Sequence, residues 1–408
     1  MTPNKVAVTG ATGQVGAALV RRLHDEGYHV VAATRNALGA ALVQASVPEC
    51  DIRVGSVARV DGKHLLDDCD VIVNCALASS GGNPRQAYVR NRALVDGLLE
   101  AKSLRRLVHF SSVAIYGELI RQHRNESRAF ERPPADSEYG RSKLYVERYA
   151  VRQTQARGIA CTLLRLGHVY GAGIGRSREI IELSRDPNFR LPYDGRFPSN
   201  GIHVDRLSAS IVSLLDADRS RDTYNFAQKD STWRDVFDWH TACLGLPTVR
   251  GMSEGESDSA RAVWARESMP REIATWLRGL PVKQLVRSPA MFDMALRILV
   301  RTPTAITTRV TNLNRRVGAR GHVARAMGGY AKPIPPVYLS AGMPGPFLDL
   351  APIPPAGPGS EGERRRELSE WYHLWSSPRF AALPRLESEP SGATEHLTTV
   401  GGALGART

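Results

Sequence analysis

Tyr139 and Lys143 stand four residues apart in the segment Glu138-Tyr-Gly-Arg-Ser-Lys143. On a helix, residues i and i+4 lie on one face, so the ammonium would lie beside the phenol. A free tyrosine has a pKa of about 10, and a neighbouring positive charge lowers it. We therefore expect a phenol that exchanges a proton with an alcohol or ketone near neutral pH.

Ser112 precedes this pair, in the segment Phe110-Ser-Ser-Val-Ala-Ile-Tyr-Gly117. Its hydroxyl could hold the oxygen of a substrate while the phenol transfers the proton. The Tyr-x-x-x-Lys spacing alone is common on ordinary helices. It becomes specific when it follows both a serine at the end of a predicted strand and the glycine loop described next.

The glycine loop reads Thr9-Gly-Ala-Thr-Gly-Gln-Val-Gly16, between a predicted strand and an amphipathic helix. Glycines at these positions allow a tight turn, a close approach of the backbone to a pyrophosphate, and close packing of helix on strand. This pattern predicts dinucleotide binding, with a purely structural turn as the alternative. The predicted contacts are Gly10, Thr12, Gly13, Gln14, Val15 and Gly16.

The end of the second predicted strand indicates which cofactor is preferred. Thr34 and Arg35 stand where an acidic residue would bind the ribose hydroxyls of NAD. A guanidinium can bind the 2′-phosphate of NADP(H) through two hydrogen bonds, so the sequence favours NADP(H) over NAD. The alternative is that Arg35 is simply a solvated arginine after a strand. Further predicted cofactor contacts are Ser56, Val57, Asn74, Cys75, Ala76, Leu77, Asn91 and Ser111, with Tyr139 and Lys143 at the nicotinamide ribose.

From Lys5 to about Ala227, short β-branched segments alternate with longer helical ones, which predicts an α/β fold with a doubly wound parallel (Rossmann) sheet. The predicted strands are Lys5–Thr9, His29–Thr34, Asp51–Val54, Val71–Ala76, Arg106–Ser111 and Cys161–Arg165. The predicted helices are Gln14–Glu26, Pro84–Lys102 and Ser137–Arg157. Ligands of such sheets bind beyond the carboxyl ends of the strands, where Ser112 falls.

Four regions are predicted: a dinucleotide-binding domain over 1–171, a smaller substrate-covering region over 172–249, a basic helical extension over 250–330, and a tail rich in Pro and Gly over 331–408. We expect Ala172–Asn200 to be irregular and Ile202–Asp205 to return to the sheet edge. Ser231–Leu244 should form a helix, and Glu361–Trp375 one last short helix.

The composition excludes several classes of protein. The 408 residues, 42% of them hydrophobic, contain no apolar run long enough to span a membrane and no secretory signal, so we expect a cytoplasmic protein. The five cysteines are scattered and form no Cys-x-x-Cys pair. This pattern predicts free thiols, with no disulfide framework and no metal site.

The net charge of +13 is concentrated in one stretch, because residues 278–332 hold eleven basic residues and one acid. Within it, the apolar segment Pro289–Arg301 has a narrow charged stripe. Such a helix could pack on its own domain with the stripe in water, attach peripherally to an anionic membrane surface at the inner face of the membrane, or bind an acidic partner or substrate. Nucleic acid is not expected, because aromatic residues are not interleaved with the arginines.

Over residues 5–245 the chain resembles the extended short-chain dehydrogenases/reductases, the epimerase/dehydratase family best known for nucleotide sugars. The resemblance is carried by the glycine loop, Asn91, the Ser112 and Tyr139–Lys143 segments, Leu164–Gly171 and Ile202–Asp205. It implies that Ser112, Tyr139 and Lys143 are the catalytic set. It also implies a homodimer formed through the helices that include Pro84–Lys102 and Ser137–Arg157.

Departures from the family pattern narrow the chemistry. Val113 and Ala114 replace the Asp-Glu pair of the family's 4,6-dehydratases, which argues against dehydration. His168 and Ser199 replace an asparagine and an arginine that commonly contact the substrate diphosphate. Arg176 or Arg196 could substitute for that arginine, and His168 is either a substrate contact or a hydrogen-bonded structural histidine. The predicted substrate residues are Ser112, His168, Arg176 and Arg196.

Three functions fit these observations. The first is an NAD(P)-dependent epimerase or oxidoreductase acting on a secondary alcohol or ketone of a sugar, most plausibly nucleotide-linked. The second is an NADPH-dependent reductase of a non-sugar ketone or aldehyde. The third is a nucleotide-sensing or membrane-scaffolding protein that keeps the fold without turnover, and the intact Ser, Tyr and Lys argue against it.

Overall fold

The computed structural model describes residues 5–59, 62, 64–77, 84–116, 138–216, 223–228, 231–260 and 361–376. These contain a seven-stranded parallel sheet. In chain order its strands are β1 Val6–Thr9, β2 Val30–Thr34, β3 Asp51–Val54, β4 Val71–Asn74, β5 Arg106–Ser112, β6 Ala160–Leu166 and β9 Thr223–Phe226. The spatial order is β3-β2-β1-β4-β5-β6-β9. A separate pair, β7 His168–Tyr170 and β8 Gly201–His203, is also parallel.

Parallel strands need long crossover connections, and here helices supply most of them. The helices are α1 Gln14–Asp25, α2 Ala37–Ser46, α3 Pro84–Leu98, α4 Glu138–Ala156, α5 Gly175–Ser184, α6 Val204–Asp216, α7 Trp233–Cys243 and α8 Glu361–Ser376. Because helices cover both faces, the central strands are buried throughout and read as continuous apolar segments.

The sheet separates two apolar cores. Val6 and Val8 of β1 point into a core shared with α1 and α6, whereas Ala7 between them points into a core shared with α3 and α4. This two-layer burial confirms the predicted doubly wound sheet. The strand order reverses between β1 and β4, since β2 and β3 lie on one side of β1 and β4, β5 and β6 on the other. The glycine loop follows β1 at that switch point. Ligands of this architecture bind in the crevice there.

Two local predictions were wrong. Residues 172–200 contain the regular helix α5, because Ile180, Ile181 and Leu183 recur at helical spacing and are buried. Its N-cap, Ile174, makes no side-chain cap hydrogen bond, so the sequence carries no start signal. The segment that begins at Ile202 does not return to the edge of the main sheet. It pairs with β7, and β9 forms that edge.

Helix α8 agrees with the predicted last helix and packs on α5 and α7. Leu368 and Tyr372 are buried against Ile181, and the Tyr372 hydroxyl accepts a hydrogen bond of 3.0 Å from Arg185 Nη1. The predicted basic stretch 278–332 and the segment Pro289–Arg301 lie outside the described residues. Among the helices that are described, none is both long and apolar enough to cross a membrane.

Candidate active site

Ser112, Tyr139 and Lys143 come together at the carboxyl end of β5. Ser112 is the last residue of that strand, and its Oγ accepts a hydrogen bond of 3.2 Å from the Ala114 amide in the following 3-10 turn. The Ser112 side chain lies close enough to the Tyr139 phenol to lower its pKa. Lys143 Nζ donates to the Phe110 carbonyl, two residues earlier in the strand, at 3.0 Å.

The phenol of Tyr139 is 49% exposed, yet partial burial raises its pKa. The nearby Ser112 side chain acts in the opposite direction but is the smaller effect. This differs from the expectation that the Lys143 ammonium lowers the phenol pKa, because the ammonium is directed at the Phe110 carbonyl. At neutral pH the phenol therefore holds its proton and can donate it.

Lys143 is almost fully buried, and burial lowers its pKa to about 8. Glu147, one turn further along α4, raises that pKa. Glu147 is paired with Arg165 of β6 through two contacts, 2.5 Å from Nη2 to Oε1 and 3.2 Å from Nε to Oε2, and both side chains are fully buried. The sequence reasoning missed this pair; an acid four residues after Lys143 and an arginine inside an apolar strand were the available signals.

The glycines of the loop allow its backbone to pack closely on itself and on the turn after β4. Gly10 has φ +70°, and a Cβ there would lie 2.8 Å from the Ala76 Cα. A Cβ on Gly16 would lie 2.1 Å from the Gly10 carbonyl oxygen. Gly13 is the N-cap of α1, makes no side-chain cap bond, and no acidic residue stands in the first turn. Thr12, Gln14 and Val15 complete the loop, and its uncapped amides fit the pyrophosphate of a dinucleotide.

The adenosine end of this crevice lies at the ends of β2 and β3. Thr34 is buried, Arg35 is exposed, and Asn36 caps α2 by accepting a 2.9 Å hydrogen bond from the Gly39 amide. No carboxylate follows β2 before α2 begins. The predicted contacts Ser56 and Val57 follow β3.

The nicotinamide end lies between β4 and β5. Cys75, Ala76 and Leu77 follow β4, and burial raises the pKa of the Cys75 thiol while the Lys143 charge acts against that rise. Ser111 is buried in β5. Asn91 of α3 is buried, and its Nδ2 donates to the Ala87 carbonyl at 2.7 Å.

The predicted substrate residues do not form one group. His168 of β7 lies with its ring 5.1 Å from that of Trp233, and burial lowers its pKa to about 3, with the Arg176 charge in the same direction. Arg176 forms an ion pair of 2.6 Å with Glu179. The side chain of Arg196 instead contacts Glu254, at 3.0 Å, and the ring of Phe197.

Comparison with known proteins agrees with this geometry. Residues 6–185 match the model of the NAD dependent epimerase/dehydratase family. This part of the chain is similar to that family. The match includes the glycine loop, Ser112, Tyr139, Lys143, Glu147 and Arg165, and it ends at Arg185, just after α5.

Two relatives are sugar oxidoreductases by name. A dTDP-6-deoxy-L-talose 4-dehydrogenase (NAD(P)(+)) of Kitasatospora kifunensis is 33% identical over 175 residues, 42% of this chain and 54% of that protein. A 2'-dehydrokanamycin reductase of Streptomyces kanamyceticus is 29% identical over 281 residues, 65% of this chain and 72% of that protein. The chain thus spans about half of the first relative.

Solved structures share the fold. The UDP-glucuronic acid 4-epimerase of Bacillus cereus, in complex with NAD, has a TM-score of 0.50 and 22% identity, covering 60% of this chain and 86% of the epimerase. The UDP-glucose 4-epimerase of Thermotoga maritima has a TM-score of 0.50 and 19% identity, covering 61% and 85%. At these identities the likeness concerns the fold.

One contact ties the glycine loop to α5, and another ties α5 to α7. The sequence reasoning missed both. Gln14 Oε1 accepts a 3.1 Å hydrogen bond from the Gly175 amide, which ties the loop to the start of α5. On α5, Ser177 Oγ accepts from the Gly171 amide and hydrogen-bonds to His240 Nε2 of α7, each at 2.7 Å. These bonds place α5 between the cofactor crevice and α7.

Proposed function

We propose that this chain is an NAD(P)-dependent oxidoreductase or epimerase that acts on a secondary alcohol or ketone of a sugar. One observation carries the proposal. Ser112, Tyr139 and Lys143 meet at the carboxyl end of β5, beside the Cys75–Ala76 turn against which the glycine loop packs.

The bound nicotinamide supplies or accepts a hydride at the carbon that bears the substrate oxygen. In the reducing direction, Tyr139 donates its proton to that oxygen, and in the oxidising direction it takes the proton back. The Ser112 hydroxyl holds the same oxygen in place. Lys143 donates to the Phe110 carbonyl and keeps a positive charge beside Cys75 at the nicotinamide end of the crevice.

The relatives support a sugar substrate. One is named for a dTDP-linked sugar and the other for an aminoglycoside ketone, so the names favour a sugar carbonyl without requiring a nucleotide. Val113 and Ala114 supply no acid or base after Ser112, which supports oxidation, reduction or epimerisation rather than dehydration. Arg176 beside a neutral His168 is the best-placed cation for a diphosphate.

We propose NADP(H) as the preferred cofactor. An exposed guanidinium, Arg35, follows β2 where a carboxylate would repel a 2′-phosphate. By the family resemblance we also propose a homodimer through α3 and α4. Peripheral membrane contact through 278–332 remains a hypothesis about residues outside those described.

A reductase of a non-sugar ketone or aldehyde is the second candidate, and Ser199 favours it. Where the family pattern has an arginine for the diphosphate, Ser199 is buried and its Oγ is 3.0 Å from the carbonyl and from the Oγ of Ser231. That position is therefore structural in this chain, and it does not contact a phosphate.

The test is to incubate the full chain with NADPH and NADH and with three substrate sets: nucleotide-linked 4-keto sugars, aminoglycoside ketones and simple ketones or aldehydes. Net loss of reduced cofactor that matches a reduced sugar supports the reductase. A stereoisomeric sugar without net loss supports the epimerase. Turnover with simple carbonyl compounds alone supports the second candidate, and turnover unaffected by Tyr139→Phe contradicts all of them.

A further inference from the structure

A buried polar row crosses three neighbouring strands below the crevice. Thr9 of β1, Asn74 of β4 and His109 of β5 are direct register partners, Thr9 with Asn74 and Asn74 with His109. Each is at most 3% exposed. They share the sheet face of α3 and α4, because the residues two positions earlier in each strand belong to that core.

The hydrogen bonds of this row fix every donor and acceptor. Asn74 Oδ1 accepts from the Thr9 hydroxyl at 2.8 Å and from the Ala76 amide at 3.2 Å. Because a backbone amide can only donate, that atom is the carbonyl oxygen, and Nδ2 must be the donor to His109 Nδ1, 3.0 Å away. The imidazole therefore carries its proton on Nε2.

The environment keeps His109 in this neutral form. Burial lowers its pKa to about 3, and the nearby charge of Lys143 acts in the same direction. Nε2 has no hydrogen-bond partner among the described residues, so Nδ1 provides the ring's hydrogen bond in this row. No sequence motif pointed to this residue.

The row ends at the turn that faces the cofactor. The Ala76 amide is held by Asn74, and the Cys75 amide donates to the Thr9 carbonyl at 3.2 Å. The same turn supports the glycine loop, because a Cβ on Gly10 would lie 2.8 Å from the Ala76 Cα. A change in the Asn74 amide would thus move the backbone of Cys75 and Ala76.

We propose that His109 is a positioning residue for the nicotinamide half of the cofactor site: its Nδ1 orients the Asn74 amide, which fixes the Cys75–Ala76 turn. The inference rests on the proposed function in one respect, since it takes the ligand above this turn to be a nicotinamide dinucleotide. The adenosine end, at Thr34 and Arg35, lies at the end of β2, on the other side of β1 from β4 and β5, and does not depend on this row.

Two variants isolate the Nδ1 acceptor. His109→Phe keeps a ring of similar size without an acceptor. His109→Asn places its Oδ1 close to the position of the imidazole Nδ1 and so keeps the bond to Asn74. His109→Leu replaces His109→Phe if circular dichroism shows that the phenyl variant does not fold. The full chain is used throughout.

The experiment measures binding by calorimetry to NADPH or NADH, whichever wild type binds more tightly, and to the matching adenosine 2′-monophosphate or AMP. We expect His109→Phe to weaken dinucleotide binding about five- to tenfold, as for one buried hydrogen bond. The fragment should bind as in wild type, and His109→Asn should restore dinucleotide affinity to within about twofold.

Equal weakening of dinucleotide and fragment by His109→Phe would overturn the inference, as would unchanged dinucleotide affinity. So would a His109→Asn variant as weak as His109→Phe. Wild type that binds the dinucleotide no more tightly than its fragment also overturns it. The proposed function is judged separately, by turnover that depends on Tyr139.

Discussion

The main sheet and the region built on β7, β8, α5 and α7 hold their polar groups in different ways. In the sheet, polar side chains are register partners on adjacent strands, as in the row of Thr9, Asn74 and His109. On α5 of the second region, each arginine that forms an ion pair does so with an acid about one turn along the same helix, as Arg176 does with Glu179. The sheet therefore fixes its polar side chains through strand register, whereas α5 pairs its charges along one helix.

The largest expected effect compares one ion pair in each region. Glu147→Gln removes the Glu147 charge from the buried Arg165, and we expect a loss of about 3–5 kcal/mol in the free energy of unfolding. Glu182→Gln removes the acid from the exposed ion pair with Arg178 on α5 and should cost no more than about 0.5 kcal/mol. Urea unfolding of both variants provides the measurement. Equal losses would contradict the assignment of a buried pair to the sheet.

Acid should destabilise the protein through its buried histidines, three of which belong to the second region. Burial lowers the pKa of His168 to about 3 and those of His203 and His240 to about 4, as it lowers that of His109 to about 3. Below pH 6.5 the unfolded chain binds protons that the folded chain does not, so stability falls as the pH falls towards 4. Each group contributes up to about 1.4 kcal/mol per pH unit.

Urea unfolding at neutral pH and near pH 5 tests this expectation. Replacing His240 by glutamine should reduce the acid-dependent part of the loss, whatever it does to stability at neutral pH. A free energy of unfolding that stays constant over the interval would show that these rings are not neutral and buried.

At the adenosine end, Arg35→Ala should weaken NADPH binding about tenfold, the loss of one charge-assisted contact, and leave NADH binding nearly unchanged. Arg157→Ala, which removes an exposed basic residue just after α4, serves as the charge control. Equal changes for the two cofactors would remove the case for NADP(H). Calorimetric titration measures both.

A further effect is on the pH dependence of turnover. Because the pKa of Lys143 is lowered to about 8, its ammonium is present below that pH and is lost as the pH rises through it. We expect kcat to decline on the alkaline side from about pH 8, by up to tenfold per pH unit. A pH profile of kcat that is flat to pH 10 would contradict the role of that charge.

Much of the sheet region could be predicted from the sequence because the local spacing of residue types there also indicates where those residues lie in the fold. The glycine loop, the apolar strands and the serine at the end of β5 follow from spacing alone. The partners of Glu147 and His109 could not be predicted from spacing, since each of these two residues is bound to a residue on another strand or helix. Register decides such contacts, and no local spacing encodes it.

The second region was predicted less well for physical reasons. The N-cap residue of α5, Ile174, makes no cap hydrogen bond with its side chain, and β8 is three residues long, so neither gives a clear local signal. Arg196 and Arg176 were equivalent cations in the sequence. The structure separates them, because Arg196 pairs with Glu254, whereas Arg176 pairs with Glu179 and also lies near His168.

The central claim is that Tyr139 transfers the proton while the glycine loop holds the cofactor. Its most direct test compares the full chain with Tyr139→Phe, measuring hydride transfer to the best carbonyl substrate and the Kd of the reduced cofactor. The account predicts a kcat lower by about 10²-fold or more, with the cofactor Kd within about twofold of wild type. A phenylalanine variant that turns over at the wild-type rate would contradict it.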